Sequence, residues 1–248
     1  MNCASVHISA SLAFQEFLWC HGASALRNID AGRGMSRDDS VLFPLLSLPS
    51  LRVTRDDIAS PEEVLEFWFG SPTDAGTGQP RKVWFTKDAG FDRTCQERFG
   101  ATHAAARAHR LDHWQDSPAG ALALTIVLDQ LSRNIYRGTP QAFAQDAHAL
   151  KVAAHAVARG FDAVLLPLQR MFLYLPYEHS EDAAMQARSV ELFETLRGHP
   201  YLDETIEYAH RHREVIERFG RFPHRNDILG RPSSAEELAY LGLPGSGF

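Results

Sequence analysis

The sequence predicts an all-α protein, with about eight helices and no sheet. Three observations carry that prediction. Helix-opening signatures recur, the plainest being Ser60-Pro61-Glu62-Glu63 and Ser117-Pro118. Apolar residues repeat at helical spacing, as Phe91, Cys95 and Phe99 do. No hairpin turn and no alternating strand of useful length interrupts them.

Residues 1–58 stand apart. They hold a short apolar stretch, then "DAGRGMSRDDS", then a proline-broken "LFPLLSLPSL". The expectation is a poorly ordered N-terminal extension with one short helix at 10–19, or a misassigned start with Met35 as the alternative. A single all-α domain is expected over 59–248. Its first helix starts at Ser60, with Glu63 completing a capping box, and stops at Gly70. A second carries the Phe91, Cys95, Phe99 face. Ser117-Pro118 opens a third helix through "ALALTIVLDQL", an apolar run too long and too unalternating for a strand. Thr139-Pro140 is a further start. The Ala-rich stretch 146–159 stops at Gly160, and Pro167 opens "LQRMFLYL". Ser180 is expected to cap a helix running to Arg197. Another extends from about Leu202 to Phe219, with Gly220 as its stop. Ser233 and Glu236 are expected to box the last helix, "ELAYL".

Composition narrows the function classes. The chain has 248 residues, 44% hydrophobic and 23% charged, with a net charge of −6. A net-acidic chain lacks the basic field that sequence-independent nucleic-acid binding needs, so no nucleic-acid partner is expected. No apolar run reaches the ~18–20 residues of a membrane span, and no membrane partner is expected. The three cysteines, Cys3, Cys20 and Cys95, show no metal-ligand spacing and ask for no oxidising compartment. With no secretory leader recognisable, the expected location is cytoplasmic.

Three polar constellations are candidates for chemistry. In "LDQLSRNIYRGTP", Asp129, Arg133 and Arg137 fall at i, i+4 and i+8 on one face, joined by Asn134. Asp129 orienting a guanidinium toward a carboxylate or phosphate is the functional reading; an ion-pair network at a helix end is the alternative. In "LYLPYEHSED", Glu178, His179 and Asp182 are expected to converge at the start of the next helix. They suit acid–base catalysis, or a divalent metal, although acids in a first helical turn also simply complement the dipole. In "RFGRFPHRNDILGR", Arg218, Arg221, Arg225 and Arg231 accompany His224 and Asn226, suggesting an anion clamp on a pinned loop. His212 is a weaker lead on the preceding helix. His103, His109 and His113 read as a solvated face. No glycine-rich phosphate loop or dinucleotide fingerprint is present, so ATP and NAD are unsupported as cofactors.

Those strings, together with "VLEFWFG" and "VWFTKDAGFD", resemble the bacterial domain-of-unknown-function 924 family over about residues 60–243. The resemblance implies an all-α fold similar to the stacked helix pairs of the tetratricopeptide superfamily. It implies no established activity. The family's recurring polar positions match Asp129, Arg133, Asn134, Arg137, Asp146, Glu178, His179, Glu181, Asp182, His212, Arg221, His224, Arg225 and Asn226. Ser132 stands where the family has Pro.

The expected function is binding, or acid–base or metal-assisted chemistry, on a small anionic ligand. The catalytic candidates are His179, Glu178, Asp182 and His224. Asp129, Arg133, Asn134, Arg137, His212, Arg221, Arg225 and Asn226 would hold the ligand. The alternative is a tetratricopeptide-like module binding a protein partner, with the polar motifs as a structural network.

Overall fold

The computed structural model describes residues 57–71, 73 and 78–247. The expected extension, its helix at 10–19, Met35, Cys3 and Cys20 lie outside the described residues. Those described are helical throughout, with no strand among them: α1 (Pro61–Phe69), α2 (Ala89–Arg107), α3 (Pro118–Leu128), α4 (Gln130–Ile135), α5 (Asp146–Ala158), α6 (Pro167–Glu178), α7 (Ala183–Glu194), α8 (Asp203–Phe219) and α9 (Ala235–Leu241). Short 3-10 turns connect several of them, including Pro140–Ala142 and Pro223–Arg225.

Helix α3 is the hub. Every residue from Gly120 to Leu128 is buried, and α1, α2, α5 and α6 all pack against it. This is why its sequence is apolar on all sides rather than along one stripe. The later helices pack consecutively: α5 on α6, α6 on α7, α7 on α8. Phe172 of α6 anchors the aromatic core, edge-on to Trp68 at 5.5 Å and to Trp84 at 4.8 Å. Aromatic pairs in this geometry add ~0.5–1.5 kcal/mol beyond the area they bury.

Capping follows the sequence where the side chains were legible. Ser60 and Glu63 form the reciprocal box at α1, and Gly220 closes α8 at φ 68°. Two caps are displaced. Asp182, not Ser180, caps α7, accepting from Ala184 N and Met185 N. The last box is Ser234 with Glu237, one residue later than expected. In each case the serine two residues, or one, upstream falls outside the turn whose N–H groups need an acceptor. Thr139-Pro140 opens only a three-residue 3-10 turn.

The third predicted helix is two. The Ser132 hydroxyl donates to Leu128 O at 2.5 Å, and Arg133 Nη1 donates to Asp129 O at 2.9 Å. Side chains thus serve two consecutive carbonyls, and back-bonding of this kind bends a helix. Regular helix is interrupted at Asp129, and α4 begins at Gln130. Pro176 has the opposite outcome: α6 runs through it and ends at Glu178. Glu178 and His179 therefore close one helix while Asp182 begins the next.

Candidate functional site

The break at Asp129 places its side chain inside the protein, fully buried. Oδ1 lies 2.7 Å from His179 Nδ1 and 3.0 Å from Arg133 Nη1, while Oδ2 accepts from Gln130 Nε2 at 2.6 Å. Against the opposing effect of burial, the Arg133 charge and the hydrogen bonds from His179 and Gln130 hold the carboxyl well below the ordinary carboxylate range. An ionised carboxylate can only accept, so His179 carries its proton on Nδ1. Burial and the nearby Arg133 lower the His179 pKa, leaving the ring neutral and Nε2 a lone pair. No described residue hydrogen-bonds to that Nε2, and the side chain is 13% exposed.

Asp146, the first residue of α5, is the second anionic centre. It receives Arg133 through Nη1 at 3.0 Å and Nη2 at 3.2 Å, and Arg225 Nη1 at 3.1 Å. Arg225 is sandwiched between Phe222, 4.6 Å from the ring centroid, and Phe143, at 4.8 Å. Burial brings its pKa down to about 10, still charged at neutral pH. Its Nε–H, also buried, has no acceptor among the described residues.

Glu178 is the third. Oε1 sits 3.2 Å from His212 Nδ1, and buried Oε2 has no hydrogen-bond partner among the described residues. Burial, and then the Asp129 charge, push its carboxyl up to about 8, so it is protonated at neutral pH. His212 Nδ1 also donates to Tyr208 O at 2.9 Å. Burial carries its pKa well down. The Glu178–His212 contact is thus between two neutral groups and is not an ion pair. The rings of His179, His212, Phe222 and His224 follow one another at 6.4, 5.4 and 5.6 Å between centroids. His224 is held neutral by burial, its pKa down to about 3.

The structure therefore brings together Asp129, Arg133, Glu178, His179, His212, His224 and Arg225, with Asp146. It sends other candidates elsewhere. Arg137, despite its i+8 spacing from Asp129, pairs with Asp92 on α2 at 2.6 Å, and Asn134 donates to the same carboxylate at 2.8 Å. Asp129 and Arg133 keep the i, i+4 contact, but α4 ends at Ile135, so Arg137 lies beyond the helix and off the face they share. Asp182 is used by its cap. Nor do the four arginines of the 218–231 loop form a clamp: Arg218 pairs with Glu236, Arg221 with Glu237 and Arg231 with Glu181, leaving Arg225 alone at the cluster. Asn226 is structural, bonded to Ser233 Oγ and Arg231 Nε. In the sequence only the family resemblance marks Asp146; its place at a helix start is an ordinary dipole position and gives no local signal.

The residues meet by packing against one another. Surface cavities of about 240 Å³, beside Arg211 and Tyr240, and about 410 Å³, beside Ser60 and Trp114, are lined by none of them. His103 is not on a solvated face as expected: it is buried, with Nε2 2.8 Å from Ser132 Oγ.

Comparison with known proteins gives two matches. Residues 64–245 match the family described as "Bacterial protein of unknown function (DUF924)". A solved structure of a protein of unknown function from Agrobacterium tumefaciens is similar at a TM-score of 0.65 and 39% identity, covering 73% of this chain and 96% of that one. A search of the curated proteins finds no match.

Proposed function

We propose, from the premise that this chain belongs to the bacterial DUF924 family of unknown function, that it binds a small anionic ligand and acts on it by proton transfer. His179 Nε2 is the base, Asp129 fixes its tautomer, and Arg225 receives the anion. The observation that carries this reading is the Asp129–His179 pair at 2.7 Å with Nε2 unengaged. A buried carboxylate behind a neutral imidazole is the arrangement that general-base chemistry requires. Two features assist. Arg225, held on the Asp146 carboxylate that Arg133 also binds, keeps an Nε–H with no acceptor among the described residues. Protonated Glu178 offers an acid whose pKa of about 8 lies close to working pH. The location we infer is cytoplasmic: Cys95 is a free, buried thiol and no described helix is long and apolar enough to cross a membrane.

A second reading is favoured by one observation. Asp129 has three cationic or polar partners within the protein and Asp146 has two. A network so internally paired also serves to fix helix geometry in a tetratricopeptide-like stack that binds a protein partner.

A thermal-shift screen of the full chain separates them. The panel holds inorganic phosphate, sugar phosphates, nucleotides and small carboxylates. A ligand at ~100 times its dissociation constant adds about 2.7 kcal/mol, roughly 5–10 °C for a domain this size. The expected result is a stabilising anion whose effect is lost in Arg225→Lys and kept in Arg221→Lys. A blank across the panel, or equal shifts in both variants, would overturn the anion site in favour of the structural network.

A further inference from the structure

Helix α2 ends in a Schellman motif: Arg110 N donates to Ala105 O at 3.0 Å and His109 N to Ala106 O at 2.9 Å. The residue at the turn must be left-handed, and it is His109, at φ 59°. Only one other described non-glycine residue, Tyr201, has a positive φ. Glycine would adopt this conformation without steric cost; histidine does not. The turn aims the imidazole at Asp112, three residues on, with Nδ1 3.0 Å from Oδ2. From α5, His148 reaches the same carboxylate, its Nε2 3.2 Å from Oδ1. The two imidazole rings lie 4.2 Å apart between centroids, and the three ligand atoms fall within 4.8 Å of one another. Among the described residues this is the group of three whose donors converge so closely.

Two imidazoles and one carboxylate on a strained turn are a borderline-soft donor set. Around a tetrahedral zinc ion with bonds of ~2.0–2.1 Å, neighbouring ligand atoms stand about 3.3 Å apart. The two contacts to Asp112, 3.0 Å to Oδ2 and 3.2 Å to Oδ1, lie near that edge, one on each carboxylate oxygen. Without an ion, two imidazoles face one carboxylate, which can use them only as hydrogen-bond donors. With one, all three lone pairs have a common use. His109 and Asp112 are exposed enough to leave a fourth position to water, while His148 is largely buried.

We propose that His109, Asp112 and His148 form a binding site for one zinc-class divalent cation, which ties the end of α2 to α5. Its ligands are all distinct from the residues around His179. Strain at His109 is retained because glycine, though conformationally better, supplies no ligand.

The test is calorimetric titration of the full chain with zinc chloride, beside melting curves with and without it. The wild type should bind zinc at this site and melt higher with it. His109→Gly relieves the strained turn, so it should raise the melting temperature of the metal-free protein while lowering zinc affinity at least tenfold. That combination separates a lost ligand from a lost fold. Asp112→Asn and His148→Gln should each weaken binding at least tenfold, and His113→Gln should not. Absence of binding by the wild type, or a zinc response in His109→Gly and His148→Gln equal to the wild type's, would overturn the proposal.

Discussion

Replacing Glu178 by Gln should make the protein more stable at alkaline pH, and the gain can be sized from the site. The wild-type carboxyl is 4% exposed, with one oxygen lacking any partner and the ionised Asp129 nearby. It titrates near 4.5 in an unfolded chain and at about 8 in the fold. Its folded pKa is thus raised, so its contribution to stability is fully present below pH 4.5 and is lost as pH climbs through 8. Each unit within that window is worth ~1.4 kcal/mol, giving about 4 kcal/mol between pH 5 and 8 if the carboxylate stays dry. For a domain of this size that is roughly 10 °C of melting temperature. Glutamine has the shape of the protonated acid, can keep an oxygen beside His212 Nδ1, and does not titrate. Urea or thermal unfolding of both proteins at unit steps from pH 5 to 9 isolates the group, because every other titration cancels in the difference. The two curves should diverge steadily above pH 5. Parallel curves would show that Glu178 ionises near 4.5 in the fold, and would remove the proposed acid along with the reasoning.

Buried histidines set the acid limb. His103 is depressed to about 4, His224 to about 3, and His179 and His212 are lowered as well, each chiefly by burial. These folded pKa values lie below the unfolded 6.5, so stability is full above 6.5 and falls as pH drops toward them; opposed by Glu178 on the alkaline side, it should peak near pH 6.5 in a pH series of melting curves. Ser132→Ala strips the hydroxyl that accepts from His103 Nε2 and donates to Leu128 O, and should cost ~1–3 kcal/mol by urea denaturation. Gly120→Ala puts a methyl group 2.2 Å from Trp114 O, a backbone atom with no room to yield, and should destabilise by at least ~1–3 kcal/mol in the same assay.

Helix positions were legible because they depend on local chemistry. Ser60 with Glu63, Pro118, Pro167 and Gly220 each mark an end by what their own side chain or backbone can do. The site was legible in part. Asp129, Arg133 and His179 were candidates because charge following an apolar run needs a reason, and burial supplied it. Which atoms would meet was not legible. His179's carboxylate is Asp129, fifty residues away, and not the adjacent Glu178 or Asp182. A helix that stops at Ile135 leaves Arg137 to pair with Asp92, and no periodicity in the sequence announces that stop. Similarly, four arginines close in sequence spread to four carboxylates in three places: two on α9, Glu181 before α7 and Asp146 on α5. The His109, Asp112, His148 group escaped detection for the same reason: the pattern i, i+3 and i+39 becomes a cluster only once α5 is docked.

Asp146 has a consequence for how the protein opens. It grips Arg133, thirteen residues before it, and Arg225, seventy-nine after. In an array of helix pairs touching only nearest neighbours, terminal units can fray one by one. Here, peeling away the C-terminal elements would strand a guanidinium and half-release a carboxylate at the centre, so the far end of the chain is locked to the middle. Native-state hydrogen exchange should therefore find amides of α8 and α3 released together in one global event, the behaviour of a closed domain rather than of a spring.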